Sequence, residues 1–235
     1  MAYQHLLYSV DDRVAKVVLN RPERHNALGK LTVDEIIAVL AEADADPEVR
    51  VIVITGAGGK AFSAGYDIKE SAEAPKRTLP EWRARMQKDI KFTYAAWDCS
   101  KPVIAMINGF CLAGALEFAQ CCDMRYCSED SSFGVVETRF SNGIATMMMP
   151  WVLGNRCREL IYTGDRFGAG GPGEEACGRH GGEACDRGLE QLPAGESFVF
   201  HRESLDRFRA SPYGCDSRNF AARLRRMRTI PKQGA

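Results

Sequence analysis

The sequence predicts an α/β fold in which short buried strands run into glycine-rich loops and then into helices. Two stretches carry the prediction. Val51-Ile52-Val53-Ile54 is wholly apolar and is followed by a small-residue loop from Gly56 to Gly65. Pro102 to Ile107 is a second apolar strand, and it leads through Asn108-Gly109 and Ala113-Gly114-Ala115 into a helix over Gly114 to Cys122. Strand, small-residue loop and helix, used twice, is the grammar of layered α/β folds whose loops carry the chemistry. A chain of 235 residues, 45% apolar and 26% charged, is long enough to build one sizeable core for such layers.

The remaining elements follow in order. His5 to Val10 and Val14 to Leu19 read as a hairpin turned by Asp11-Asp12-Arg13. Pro22 ends it, and Asn26 is placed to cap a helix that continues through Leu31 to Ala43, where Val33, Ile36, Ile37 and Leu40 recur at helical spacing. The run Val51 to Ile54 is expected to be buried on both faces of a sheet. Lys69 to Thr78 reads as a loop, Leu79 to Trp97 as a helix and Met124 to Cys127 as a strand. Gly143 to Leu153 and Arg156 to Tyr162 read as helices.

Composition excludes several functions. The formal net charge is zero, so no global field points to nucleic acid or an anionic membrane. No apolar run approaches the roughly 18 residues that a membrane span needs. Met1 leads into Tyr3 to Tyr8 without a basic region or cleavage site, so no signal peptide is expected. The nine cysteines, an odd number with Cys121 and Cys122 adjacent, read as core residues of a reducing compartment. The expected location is cytoplasmic.

Gly56-x-Gly58-x-x-Ala61 after a strand matches a variant of the dinucleotide fingerprint. That motif needs a helix to open at the loop, whereas here it continues into Phe62-Ser63-Ala64-Gly65-Tyr66-Asp67. Lys60 lacks the following Ser or Thr of a P-loop. What both glycine-rich loops do offer is exposed backbone N–H groups, and two such donors converging on a carbonyl make an oxyanion hole. Glu117 lies three residues after Gly114 in an otherwise apolar helix, either on a solvated face or in a cleft. Glu137 follows the apolar Phe133 to Val136, as a helix-start carboxylate or as one desolvated beside a pocket. Two carboxylates flanking one carbonyl suit proton addition and removal beside it.

These residues resemble the crotonase superfamily, the enoyl-CoA hydratase/isomerase family. Ala61 to Glu70 is similar to its oxyanion and adenine-site loop. Lys101 to Gly109 with Gly114, Glu117 and Cys122-Asp123 is similar to its second signature, and Phe133-Gly134 with Glu137 to its third. Arg21-Pro22 with Asn26-Ala27-Leu28 matches its opening turn. The resemblance implies repeated ββα units wound as a spiral and assembled as homotrimers or hexamers. It implies an acyl-CoA thioester as substrate, CoA being part of that substrate, with no cofactor and no metal. Backbone N–H groups of Ala64 and Gly114 would hold the thioester oxygen, and Ala64, Gly65, Tyr66, Asp67 and Ile68 would lie along CoA. Both glutamates, twenty positions apart, correspond to the hydratase arrangement, a lyase adding water to a trans-2-enoyl thioester. An isomerase or another acyl-CoA lyase of the family is the alternative.

The resemblance covers residues 1–167 and lapses over 168–235. Thr138 to Met149 departs from the family's glycine- and proline-rich turn, in a region that shapes the acyl pocket. After Leu160 to Phe167, the family's C-terminal helices give way to Gly-, Arg- and Cys-rich sequence, which looks like a reading-frame change in the gene. Cys177, His180 and Cys185 resemble half a zinc site and lack a fourth ligand. Arg218 to Lys232 holds basic residues and no acidic ones, which read as a solvated tail, with an inactive nucleic-acid-binding protein as the competing function.

Overall fold

The structure, a computed structural model, describes residues 3–141 and 148–169 and the backbone of two short strands, Leu189–Glu190 and Val199–Phe200. The hairpin forms as the alternation predicts: β1 (Leu6–Asp11) pairs antiparallel with β2 (Val14–Leu19), and Asp12 and Arg13 turn between them at positive φ. β2 then pairs in parallel with β3 (Val51–Gly56), β3 with β5 (Val103–Ile107), and β5 with β7 (Met124–Cys127). The expectation that Val51 to Ile54 is buried on both faces is corrected. Ile52 and Ile54 are fully buried while Val51 and Val53 are half-buried, and Met106 of β5 is exposed. One face packs with Val33, Ile36, Val39 and Leu40 of α1 (Lys30–Ala45) in a single core, and the other is only partly covered.

A second sheet escapes the sequence reading. β4 (Ala61–Ser63), β6 (Phe110–Leu112) and β8 (Ser132–Gly134) pair in parallel, and β9 (Arg166–Gly168) joins β8 antiparallel. Each strand has three residues and lies within a small-residue stretch, too short for a period-2 pattern to show. The two sheets make the repeat plain. β3 and β4 lead to α2 (Ile68–Glu73) and α3 (Leu79–Asp98), and β5 and β6 lead to α4 (Gly114–Gln120). β7 and β8 lead to a 3₁₀ turn over Val136–Phe140. The first strand of each unit enters the five-stranded sheet and the second enters the four-stranded one. This is the repeated ββα architecture.

Two local expectations are corrected. Asn26 does not cap α1, which starts at Lys30 with Gly29 as its N-cap. Asn26 sits at φ 55° and spends its amide on the Ala57 and Ala61 carbonyls, at 3.0 and 2.8 Å. Part of the Lys69 to Thr78 loop is helical, because the Asp67 carboxylate accepts from Glu70 N–H and caps α2. α3 begins with a capping box between Thr78 and Glu81. Of the helix read over Gly143 to Leu153, α5 (Met149–Leu153) is described, and positions 142–147 lie outside the described residues. α6 covers Arg156–Thr163.

Candidate active site

The site is assembled by register. Leu112 at the end of β6 lies beside Gly134 at the end of β8, so the chain segments that follow both strands emerge together. Carboxyl ends of parallel strands are where α/β folds gather their functional loops. Ala113 donates its N–H to the Gly134 carbonyl at 2.8 Å and then turns at φ 51°, ψ −132°. L-residues rarely adopt that conformation, and it swings the strand abruptly into α4. Gly114 thereby opens the helix, Glu117 follows within its first turn, and Glu137 stands in the neighbouring 3₁₀ turn.

Neither glutamate lies on a solvated face. Glu117 is 2% exposed and Glu137 is 6% exposed, and all four carboxylate oxygens lack a hydrogen-bond partner. Burial, and then the charge of Glu137, push Glu117 up to about 8. Burial also raises Glu137. Isolated buried carboxylates strongly favour the neutral form, and two close together resist ionising at once. Such a pair can offer a proton from one member and accept one at the other.

The open backbone donors of the two loops differ from expectation at one position. Ala64 N–H is donated to the His25 carbonyl at 3.0 Å, so Ala64 is corrected as an oxyanion donor. Leu28 N–H bonds to Gly65 O and Asp67 N–H bonds to Leu28 O, a parallel bridge that directs the N–H of Tyr66 away from Leu28. Tyr66 N–H and Gly114 N–H have no acceptor among the described residues. Gly65 at φ 89° breaks the strand alternation, which would otherwise turn the Ala64 and Tyr66 N–H groups the same way. The two loops touch: a Cβ on Gly65 would come within 2.8 Å of Leu112 O and 3.5 Å of Gly114 N. A left-handed glycine in sequence is a signal for such a flipped peptide, and it pointed one residue past Ala64.

The loop is held from behind. Asp67 accepts from Arg24 at 2.9 Å and from Arg21 at 3.2 Å, with 4% of its side chain exposed. Burial pushes its carboxyl up, but the Glu70 N–H and the two arginines outweigh it and the net shift is downward. Asp67 is therefore an anchor, and the exposed Ile68 follows it at the surface. Beside them a cleft of about 510 Å³ runs past Leu28, Lys30, Glu70, Lys76, Arg77 and Arg85. Among the described residues no three metal-binding side chains converge. Cys177, His180, Cys185 and the basic segment from Arg218 to Lys232 lie outside the described residues.

Residues 9–175 match the family model described as enoyl-CoA hydratase/isomerase. The chain is 35% identical over 175 residues to a crotonyl-CoA hydratase of Syntrophomonas wolfei, covering 72% of this chain and 65% of that protein. It is 33% identical over 168 residues to a human mitochondrial Delta(3,5)-Delta(2,4)-dienoyl-CoA isomerase, covering 66% of this chain and 51% of that one. The crystal structure of an enoyl-CoA hydratase/isomerase from Xanthobacter autotrophicus Py2 superposes with a TM-score of 0.70 at 40% identity, over 73% of this chain and 64% of the other. The similarity thus spans between half and two thirds of these relatives.

Proposed function

The chain belongs to the enoyl-CoA hydratase/isomerase family, and we propose that it hydrates a trans-2-enoyl-CoA thioester to the 3-hydroxyacyl thioester. The observation that carries this reading is the pair of buried, unpartnered carboxylates, Glu117 and Glu137, beside two unengaged N–H groups of Tyr66 and Gly114. The N–H groups hold the thioester oxygen as charge develops on it, an effect worth roughly 3–4 kcal/mol per donor in well-studied hydrolases. Glu117 holds its proton in the free chain up to about 8, so the reacting state is the one in which the pair's proton sits on Glu137. Ionised Glu117 then takes a proton from water as the water oxygen bonds to the β-carbon. Protonated Glu137 delivers a proton to the α-carbon, so the total on the pair is unchanged, and exchange with solvent resets it. These steps use hydrogen bonds and proton transfer alone.

CoA lies along the backbone of Gly65 to Ile68, and Lys30, Lys76, Arg77 and Arg85 of the adjoining cleft supply positive charge for its phosphates. Asp67 contributes only backbone there, because its carboxylate is committed to Arg21 and Arg24. A cytoplasmic location and assembly as trimers or paired trimers belong to the same proposal.

The test follows loss of the conjugated thioester absorbance of crotonyl-CoA. A rate that disappears in Glu117→Ala and in Glu137→Ala supports hydration through both carboxylates. A full rate in either variant sinks the assignment. The dienoyl-CoA isomerase among the relatives makes double-bond migration the second reading. Conversion of a 3-enoyl thioester with no hydration of the 2-enoyl one would establish it.

A further inference from the structure

We propose that the ring of Tyr66 closes the acyl end of the site and restricts the substrate to short acyl groups. The inference rests on the acyl-CoA reading above and adds a specificity-determining residue to it. Tyr66 stands where its backbone and side chain do different work. Its N–H is one of the two free donors, so a thioester carbon held there has its acyl chain directed toward Glu137 and Glu117. Its ring lies against the first residue of α4: a Cβ on Gly114 would come within 2.5 Å of Tyr66 Cε2 and 2.8 Å of Cδ2. Gly114 precedes Glu117 by less than one helical turn. Burial, then the charge of Asp89 and then that of Glu117, raise the Tyr66 phenol. An acyl chain that extends past the β-carbon meets this ring.

The wall is pinned. The Arg85 guanidinium lies 5.6 Å from the Tyr66 ring centroid, and Arg85 is itself held by Asp89 through two contacts of 2.9 Å. Phe92, fully buried, meets the ring edge-on at 6.1 Å and stacks in turn on Phe118 at 5.0 Å. The ring therefore has packed neighbours on α3 and α4 and cannot swing aside without breaking a cation–π contact and an aromatic one. Its hydroxyl is buried toward Asp89, and Tyr66→Phe removes it while keeping the ring, so size and hydroxyl are separable by experiment.

The experiment measures calorimetric affinities of butanoyl-CoA and octanoyl-CoA for the wild-type full-length chain and for Tyr66→Phe, Tyr66→Ala and Arg85→Ala. In a site open to the longer chain each buried methylene adds about four-fold in affinity. The wild type is expected to prefer butanoyl-CoA at least ten-fold, Tyr66→Phe to keep that ratio, and Tyr66→Ala to move it at least ten-fold toward octanoyl-CoA. Arg85→Ala should give an intermediate ratio. An unchanged ratio in Tyr66→Ala, or a wild type that binds octanoyl-CoA as tightly as butanoyl-CoA, overturns the proposal. Should Tyr66→Ala lose its fold by circular dichroism, Tyr66→Leu takes its place with the same criterion. Crotonyl-CoA hydration by the wild type separates the two readings. Graded binding without hydration removes the hydratase and leaves Tyr66, hydration with flat binding does the reverse, and no acyl-CoA binding removes both.

Discussion

Asp67 and Glu117 are both buried carboxylates of one site, yet each Asp67 oxygen is engaged while neither Glu117 oxygen is. Asp67 meets two arginines and a helix N–H, and its carboxyl titrates below the usual range. Glu117 meets apolar neighbours and Glu137, and it is pushed up to about 8. The same residue chemistry thus serves two ends. Over residues 21–28 and 61–67, polar atoms are spent on one another and the backbone is held. Around α4 and the 3₁₀ turn, polar atoms are left open and reactivity is kept. Buried polar groups without partners are costly, so their concentration at one place points to a ligand that supplies the partners.

That contrast can be broken in steps. The largest effect is expected at Glu137→Gln, which keeps shape and removes the transferable proton. Turnover of crotonyl-CoA should fall by roughly 10²–10⁴-fold while thioester affinity holds, the range for loss of a general acid. Single-turnover kinetics with a parallel binding titration check it.

A stability profile against pH tests the open end without substrate. Glu117 keeps its proton in the folded chain from its ordinary value near 4.5 up to about 8, whereas the unfolded chain has lost it. The native state then binds more protons, so stability is highest below pH 4.5 from this group and declines as pH rises to about 8, levelling beyond. The expected loss is a few kcal/mol, and Glu117→Gln should flatten the slope in urea titrations between pH 5 and 8. A wild-type slope that survives in Glu117→Gln assigns it to other groups.

The anchored end should respond differently. Asp67→Asn removes the negative partner of two arginines and is expected to cost about 2–3 kcal/mol, between exposed and buried ion pairs because Arg24 is partly exposed. Urea denaturation at neutral pH measures it, and a change under about 0.5 kcal/mol would show the anchor to be dispensable. The smallest effect concerns Gln120, buried on α4 with both amide atoms unpartnered. Gln120→Leu should raise stability by about 1 kcal/mol, since it removes an unsatisfied polar group. A loss of stability would mean that the amide has a partner in the folded chain.

Much of this was legible beforehand, and the misses share a cause. The hairpin, β5 and α3 announced themselves by periodicity or by apolar runs of five residues or more. Glu117 and Glu137 stood out as carboxylates in apolar surroundings. β4, β6 and β8 did not, because three residues cannot display a period and their pairing is made by distant chain. Asn26 resembled a helix cap and became a tie between loops: its Oδ1, which a cap would offer to a helix N–H, accepts from Arg21 N–H, and its amide nitrogen donates to the Ala57 and Ala61 carbonyls. Ala64 spends its N–H on the His25 carbonyl, and past the left-handed Gly65 it is the Tyr66 N–H that stays open.

By itself, then, the sequence determined the layered α/β class, the two glycine-rich junctions and the identity of the acid/base candidates. These rest on local patterning and on side-chain chemistry, which a linear chain carries with it. Which N–H groups stay free, which carboxylate is quenched and which is left bare were decided only by tertiary structure. Those properties depend on what lies across from a residue, and hydrogen bonding and desolvation act between segments as far apart in the chain as Arg21 and Asp67.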